Sequence, residues 1–270
     1  MGAAAVMIDG ELVGSDGTAT VPLDDGLVRG DGVFEGLRSY GRRLRDPDAH
    51  LRRMARSAAR IALAFPHDAI AADLLRFTAL THAADCGVRA ILTRSGMRIL
   101  REEPLPANGA TSWALAPVEH RISPLLVAAK TLSYAANMQA ARVAAAAGAA
   151  APLLIRADDR SVLEGNLFSV CWLEGDRLTF PTLETGILDS LTRRLVIEAV
   201  EGVQERDTPV ERLADAAGVL CLSTVLESMP VHAIAGVGAY DPQGSRLRQV
   251  RDALAQITRE RLGAPAAGAA

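Results

Sequence analysis

Of the 29 basic residues in this 270-residue chain, 28 are arginine and one, Lys130, is lysine. Arginine serves well at solvated sites, but it cannot replace an amine that must lose its proton. A guanidinium stays charged at physiological pH, whereas a partly desolvated ε-amine can become neutral and attack a carbonyl carbon. The stretch LLVAA (125–129) runs apolar into Lys130 and reads as a strand buried on both faces, with a small-residue helix beyond. That setting favours the neutral, nucleophilic amine. On the residues alone, a solvated lysine at a strand end stays open.

A lysine that forms a Schiff base with pyridoxal 5′-phosphate needs three companions: an anion site, an acid beside the pyridine nitrogen, and a wall for the ring. GILDSLTRR (186–194) carries Leu191 and Thr192 into the start of a helix, where backbone N–H groups favour an anion. HLRRM (50–54) supplies Arg53 on a helix. VLEG (162–165) ends an apolar strand with Glu164, a carboxylate that needs a cationic partner. A helix cap and a solvated arginine are the ordinary readings of the first two.

These side chains need elements to hold them. MIDGELVG (7–14) sets Asp9-Gly10 between two apolar runs, a tight-hairpin signature, and VFEGLRSY (33–40) alternates as a strand does. Asp46-Pro47 stands where an N-cap and first helical residue belong, and Leu51, Met54, Ala55, Ala58, Ile61 and Ala62 follow at helical spacing. A second helix is expected from Ile70 to Cys86, stopped by Gly87, then strands over 89–95 and 112–118. HRISP (120–124) reads as a linker. After Lys130, an alanine-rich helix runs from Ser133 to Ala147, with strands near 153–157, 161–164 and 167–173 and a hairpin turn at EGDR (174–177). Arg193–Glu201 reads as a helix, VLCLS (219–223) as a strand and Arg246–Leu262 as the closing helix. The expected organisation is an N-terminal α/β domain (1–119), the linker, a second domain (125–263) and a disordered tail (264–270).

The composition narrows the function. Apolar residues make up 49%, enough for substantial cores, while a net charge of −3 and 4% aromatics give no basic, base-stacking surface for nucleic acid. Cys86, Cys171 and Cys221 lie far apart without a CxxC pair, which argues against a disulfide framework and a zinc site. With no basic leader and no apolar span of membrane length, a soluble, cytoplasmic protein is expected.

In chain order, DDGLVRGDGVFEGLRSY, HLRRM, AAKTLSYAANMQAARVAAAAGA, VLEGNLF, GILDSLTRR and LSTVLESMPV resemble the class IV pyridoxal-phosphate aminotransferases, from about Met7 to Val231. That family includes branched-chain and D-amino-acid aminotransferases and the related aminodeoxychorismate lyase. The resemblance implies an α/β (α+β) chain of fold-type IV, with an N-terminal α/β domain, a barrel-like second domain and a homodimer. It makes Lys130 the Schiff-base lysine and proton carrier, Arg53 a phosphate ligand and Glu164 the partner of the pyridine nitrogen. Leu191, Thr192 and Thr224 complete the phosphate cup. Tyr134 is either a partner of the ring oxygen or a core tyrosine. Three departures from the family pattern accompany the match: Asp25 where Arg is usual, Ser190 where Gly is usual, and Gly165 joined directly to Asn166 where three small residues usually intervene.

The expected activity is transfer of an amino group between a small or apolar amino acid and a 2-oxo acid. Phe34 lies where the aminotransferase members carry a comparable segment, and Arg38, Arg94 and Arg98 are the candidate cations for a substrate carboxylate. The alternatives are a lyase that eliminates pyruvate and a non-catalytic remnant of the family. The shortened VLEGNLF segment predicts a tight turn in which Gly165-Asn166 takes up positive φ.

Overall fold

Two short strands, β1 (Val6–Ile8) and β2 (Glu11–Gly14), pair antiparallel through the expected turn, with Asp9 at φ 47° and Gly10 at φ 86°. The computed structural model describes residues 4–14, 18–106 and 109–263, so the expected tail at 264–270 lies outside the described residues. The chain divides into two compact units: Met1–Pro106 with Ala129–Tyr134 and Thr258–Ala270, and Ala107–Ala128 with Ala135–Ile257. The division differs from the expected one because residues 113–119, read with the first domain, pair inside the second unit's sheet.

In the first unit, α1 (Asp25–Arg29), β3 (Gly32–Tyr40), β4 (Arg43–Leu44), α2 (Pro47–Arg60), α3 (His67–Leu80), β5 (Cys86–Thr93) and β6 (Arg98–Glu103) follow the hairpin. The strands form a six-stranded sheet in the order β2-β1-β6-β5-β3-β4. Leu51, Met54 and Ala58 of α2 and Ile70, Leu74 and Phe77 of α3 pack with Val33, Leu37, Val88 and Leu92 of the sheet. Pro47 opens α2 as expected, but Asp46 sits at φ 49° and makes no side-chain cap.

The second helix ends six residues early, because a distant carboxylate stops it. Glu102 of β6 accepts hydrogen bonds from the N–H groups of His82 (2.9 Å) and Ala83 (2.8 Å), turning the chain out of α3. Cys86 and Gly87 then begin β5 instead of ending a helix.

The second unit holds β7 (Trp113–His120), α4 (Ala135–Ala146), β8 (Ala151–Arg156), β9 (Val162–Gly165), β10 (Ser169–Glu174), β11 (Arg177–Phe180) and α5 (Leu191–Ala199). It continues with β12 (Val203–Glu205), β13 (Val219–Ser223), β14 (Glu227–Ile234), β15 (Gly238–Ala239) and most of α6 (Ser245–Gly263). Its sheet runs β12-β11-β10-β13-β14-β7-β8-β9, with β15 paired to β14. The last strand of that order, β9, is tied to the third, β10. β9 is five strands from β10 along the sheet, which is roughly 24 Å if flat, yet only residues 166–168 join them, a span of at most about 14 Å. The sheet must curl, which gives the barrel-like domain that the resemblance implies.

LLVAA is not a strand. Residues 125–128 form turns and bends, Leu125 is 80% exposed and Ala128 has φ 56°. The extended pairing falls instead on the residues beginning with Lys130.

Candidate active site

The lysine segment lies along the edge of β3. Phe34 N–H donates to the Lys130 carbonyl (3.1 Å), Leu132 N–H donates to the Gly32 carbonyl (2.9 Å), and Val33 and Thr131 form an antiparallel bridge. Gly32 permits the approach, since a Cβ there would lie 2.5 Å from the Leu92 carbonyl oxygen and 2.7 Å from Leu132 Cδ1. Ser57 of α2 fixes the lysine backbone: its Oγ accepts the Lys130 N–H (3.0 Å) and donates to the Arg53 carbonyl (3.1 Å). The amine is thereby brought over an aromatic pair. Lys130 Nζ is 4.3 Å from the Phe34 ring centroid and 5.7 Å from that of Tyr134, and the two rings meet edge to face at 5.2 Å. Arg89 of β5 places its Cζ 4.9 Å from the centroid of the same Phe34 ring.

The opposite face of β3 holds a buried charge cluster that sequence reasoning missed. Glu35, 1% exposed, accepts a two-pronged pair from Arg53: Nε to Oε1 and Nη2 to Oε2, both 2.7 Å. His50 Nδ1 is 2.8 Å from Glu35 Oε2. Burial alone would raise the Glu35 pKa, but the Arg53 charge and hydrogen bond override it and hold the carboxyl well below the usual range. Burial lowers the His50 pKa, with Arg53 and Arg45 adding to the effect, and the Glu35 hydrogen bond opposes it without prevailing. The signal was legible in the alternation of β3. Val33, Glu35 and Leu37 share the core face, so a carboxylate there requires a cation, and His50 and Arg53 stand one helical turn apart.

In the second unit, Glu164 lies on β9 with Oε1 3.4 Å from the Leu188 N–H. The connection to β10 is tight, as expected, but it does not use positive φ at Gly165 or Asn166. Gly165 N–H donates to the Phe168 carbonyl at 2.7 Å, and a Cβ on Gly165 would sit 2.2 Å from the Phe168 ring. The glycine is therefore needed for ring packing. Helix α5 starts at Leu191, two residues before the expected position, with Ser190 as N-cap accepting the Arg193 N–H (3.3 Å). Ser190 thus has a side-chain task that glycine could not perform. Leu191 and Thr192 are buried in the first turn, and Thr224 is buried in the turn between β13 and β14.

Comparison with known proteins gives this arrangement a family. Residues 32–234 match the family model described as amino-transferase class IV. The chain belongs to the class IV aminotransferases. A bifunctional aminodeoxychorismate lyase / D-amino acid transaminase of Mycobacterium tuberculosis is 29% identical over 277 residues, covering 86% of this chain and 91% of its own. A D-alanine aminotransferase of Staphylococcus epidermidis is 26% identical over 269 residues, covering 91% and 95%. Among solved structures, a branched-chain aminotransferase from Thermoproteus uzoniensis superposes with a TM-score of 0.84 at 23% identity, covering 97% of this chain and 96% of its own, which speaks for the fold alone. The PLP-bound form of a hypothetical aminotransferase from Mycobacterium tuberculosis gives 0.79 at 26% identity, covering 93% and 98%.

This aminotransferase is accordingly a pyridoxal-phosphate enzyme, and each of its two units offers groups whose chemistry suits that cofactor. A lysine amine suits the carbonyl carbon, a carboxylate suits a protonated ring nitrogen, and a helix first turn with buried hydroxyls suits a phosphate. Of the three candidate substrate cations, two have other tasks. Arg94 forms a two-pronged pair with Asp31 (2.9 and 2.8 Å) and donates to the carbonyls of Ile61 and Ala62. Arg98 joins Asp73 (2.7 Å) and Asp9 (3.4 Å), anchoring the first hairpin. Arg38 shares a face of β3 with Phe34, its Cζ 4.7 Å from the Tyr40 ring centroid.

Proposed function

We propose that Lys130 is the residue that holds the cofactor and moves the substrate's α-proton, in transamination between a small or apolar amino acid and a 2-oxo acid. The observation that carries this reading is the position of the chain's one lysine amine, 4.3 Å above Phe34, on a segment tied to both β3 and α2. When bound, pyridoxal phosphate supplies an electron sink for the bond broken at the substrate's α-carbon. The chain supplies the rest. Lys130 Nζ takes the proton from that carbon and returns it on the cofactor side, and the Phe34 ring limits water around the amine. Arg53, the backbone N–H groups of Leu191 and Thr192, and the hydroxyls of Thr192 and Thr224 hold the phosphate. Glu164 keeps the ring nitrogen protonated, and Tyr134 donates to the ring oxygen. Arg38 is the cation of this face that suits a substrate carboxylate. We also assign the active form to a cytoplasmic homodimer, on the strength of the family resemblance and three buried, unpaired cysteines.

The test is a panel of L- and D-amino-acid donors with 2-oxo-acid acceptors, each half-reaction followed by mass spectrometry of the released oxo acid. A donor-dependent oxo acid and ping-pong kinetics are expected. A second reading is favoured by the 29% identical relative whose name includes aminodeoxychorismate lyase. Pyruvate from aminodeoxychorismate, with no oxo acid from any amino-acid donor, would reverse the assignment.

A further inference from the structure

Arg89 is the guanidinium nearest in character to a substrate-reading group, and it is already engaged. It pairs across the sheet with Gly36 of β3 and Arg101 of β6, while Glu103 stands opposite Gly87, one same-face step along β6. From that diagonal position Glu103 takes both prongs of the fork, Nε to Oε1 at 2.6 Å and Nη2 to Oε2 at 2.9 Å. The pair is half-buried, with the two side chains 30% and 22% exposed, so it is neither locked in the core nor fully screened by water. Phe34 connects it to the chemistry: the Arg89 Cζ and the Lys130 Nζ lie 4.9 Å and 4.3 Å from one ring centroid. The two groups are therefore no further apart than the sum of those distances, a gap that a side chain of two or three methylenes spans.

A second carboxylate on an amino or oxo acid at Lys130 would meet Arg89. With Glu103 in place, that carboxylate must displace a bidentate partner and approach a like charge. We infer that Glu103 is a specificity-determining residue, which neutralises Arg89 and so turns the site away from dicarboxylic substrates toward apolar ones. It acts through Arg89, as a positioning residue, and the inference rests on the assignment of Lys130 to the chemistry.

The two members of the pair make opposite predictions. Glu103→Gln keeps the shape of the side chain and leaves Arg89 positive. It is expected to raise the kcat/KM ratio of 2-oxoglutarate to 4-methyl-2-oxopentanoate by roughly 10- to 100-fold, mostly through KM. Arg89→Gln leaves Glu103 negative and is expected to lower the same ratio, while Glu103→Asp keeps it near wild type. Calorimetry on the holoprotein gives a readout independent of turnover: glutarate should tighten in Glu103→Gln and weaken in Arg89→Gln, with 4-methylpentanoate little changed. If both variants move the ratio in the same direction, or leave it unchanged while turnover of the apolar acceptor persists, the inference is overturned. Should Glu103→Gln not fold, the direction of the Arg89→Gln shift decides. A wild-type enzyme that turns over neither acceptor would instead overturn the assignment of Lys130.

Discussion

The two faces of the first unit's sheet carry the same chemical pair, an arginine fork on a glutamate, in different surroundings. On the core face Glu35 and Arg53 are 1% and 6% exposed, joined by His50 and surrounded by Val33, Leu37 and Met54. On the other face Arg89 and Glu103 retain access to water and lie beside the aromatic ring under Lys130. Separating a buried ion pair is costly, so Glu35 fixes Arg53 as part of the scaffold and holds its guanidinium in place for the phosphate proposed above. A half-exposed pair can exchange one partner for another at small cost, which is what recognition of a varying substrate needs. The sheet thus separates a rigid support from an adjustable surface by the alternation of side chains along its strands.

The contrast breaks most readily in stability measurements. Glu35→Ala leaves Arg53 and His50 buried without their acceptor and is expected to cost about 3–5 kcal/mol in urea denaturation. Glu103→Gln should cost less than about 1 kcal/mol. Equal losses would remove the distinction between the faces. A pH series sharpens it. His50 and Glu35 both have folded pKa values below their unfolded ones, so the unfolded chain binds more protons and stability falls on acidification. The His50 contribution is present above about pH 6.5 and declines below it, and that of Glu35 is present above about pH 4.3 and is lost at still lower pH. A denaturation midpoint unchanged between pH 7.5 and 4 would contradict the cluster as described. An effect smaller than the loss of Glu35 is expected at the link between the faces. Ser57→Ala removes the hydroxyl that joins the Lys130 N–H to the Arg53 carbonyl, and should cost about 1 kcal/mol together with a modest loss in kcat.

What the sequence could reveal followed the range of the interactions involved. Lys130 stood out as a candidate because no other lysine competes with it, and the Asp9-Gly10 hairpin was legible because its turn chemistry is local. The strand expected over 125–129 failed because apolarity says nothing of hydrogen-bond partners: those residues turn, and the pairing with β3 begins at Lys130. The end of α3 was illegible for a related reason, since the carboxylate that stops it by accepting from the His82 N–H lies twenty residues away. Glu35 was overlooked because an acid in an alternating strand reads as solvent-facing until its neighbours at Val33 and Leu37 are counted. Arg94 and Arg98 show the converse, suitable cations in type that acids elsewhere in the chain already hold.

The central claim is that one lysine carries the chemistry, and peptide mapping tests it directly. Holoenzyme reduced with borohydride and digested should carry a single pyridoxyl modification, on Lys130, and Lys130→Ala should carry none while retaining its fold by circular dichroism. A reduced, cofactor-loaded enzyme whose label lies elsewhere, or whose Lys130→Ala variant turns over amino acids at the wild-type rate, would contradict the account.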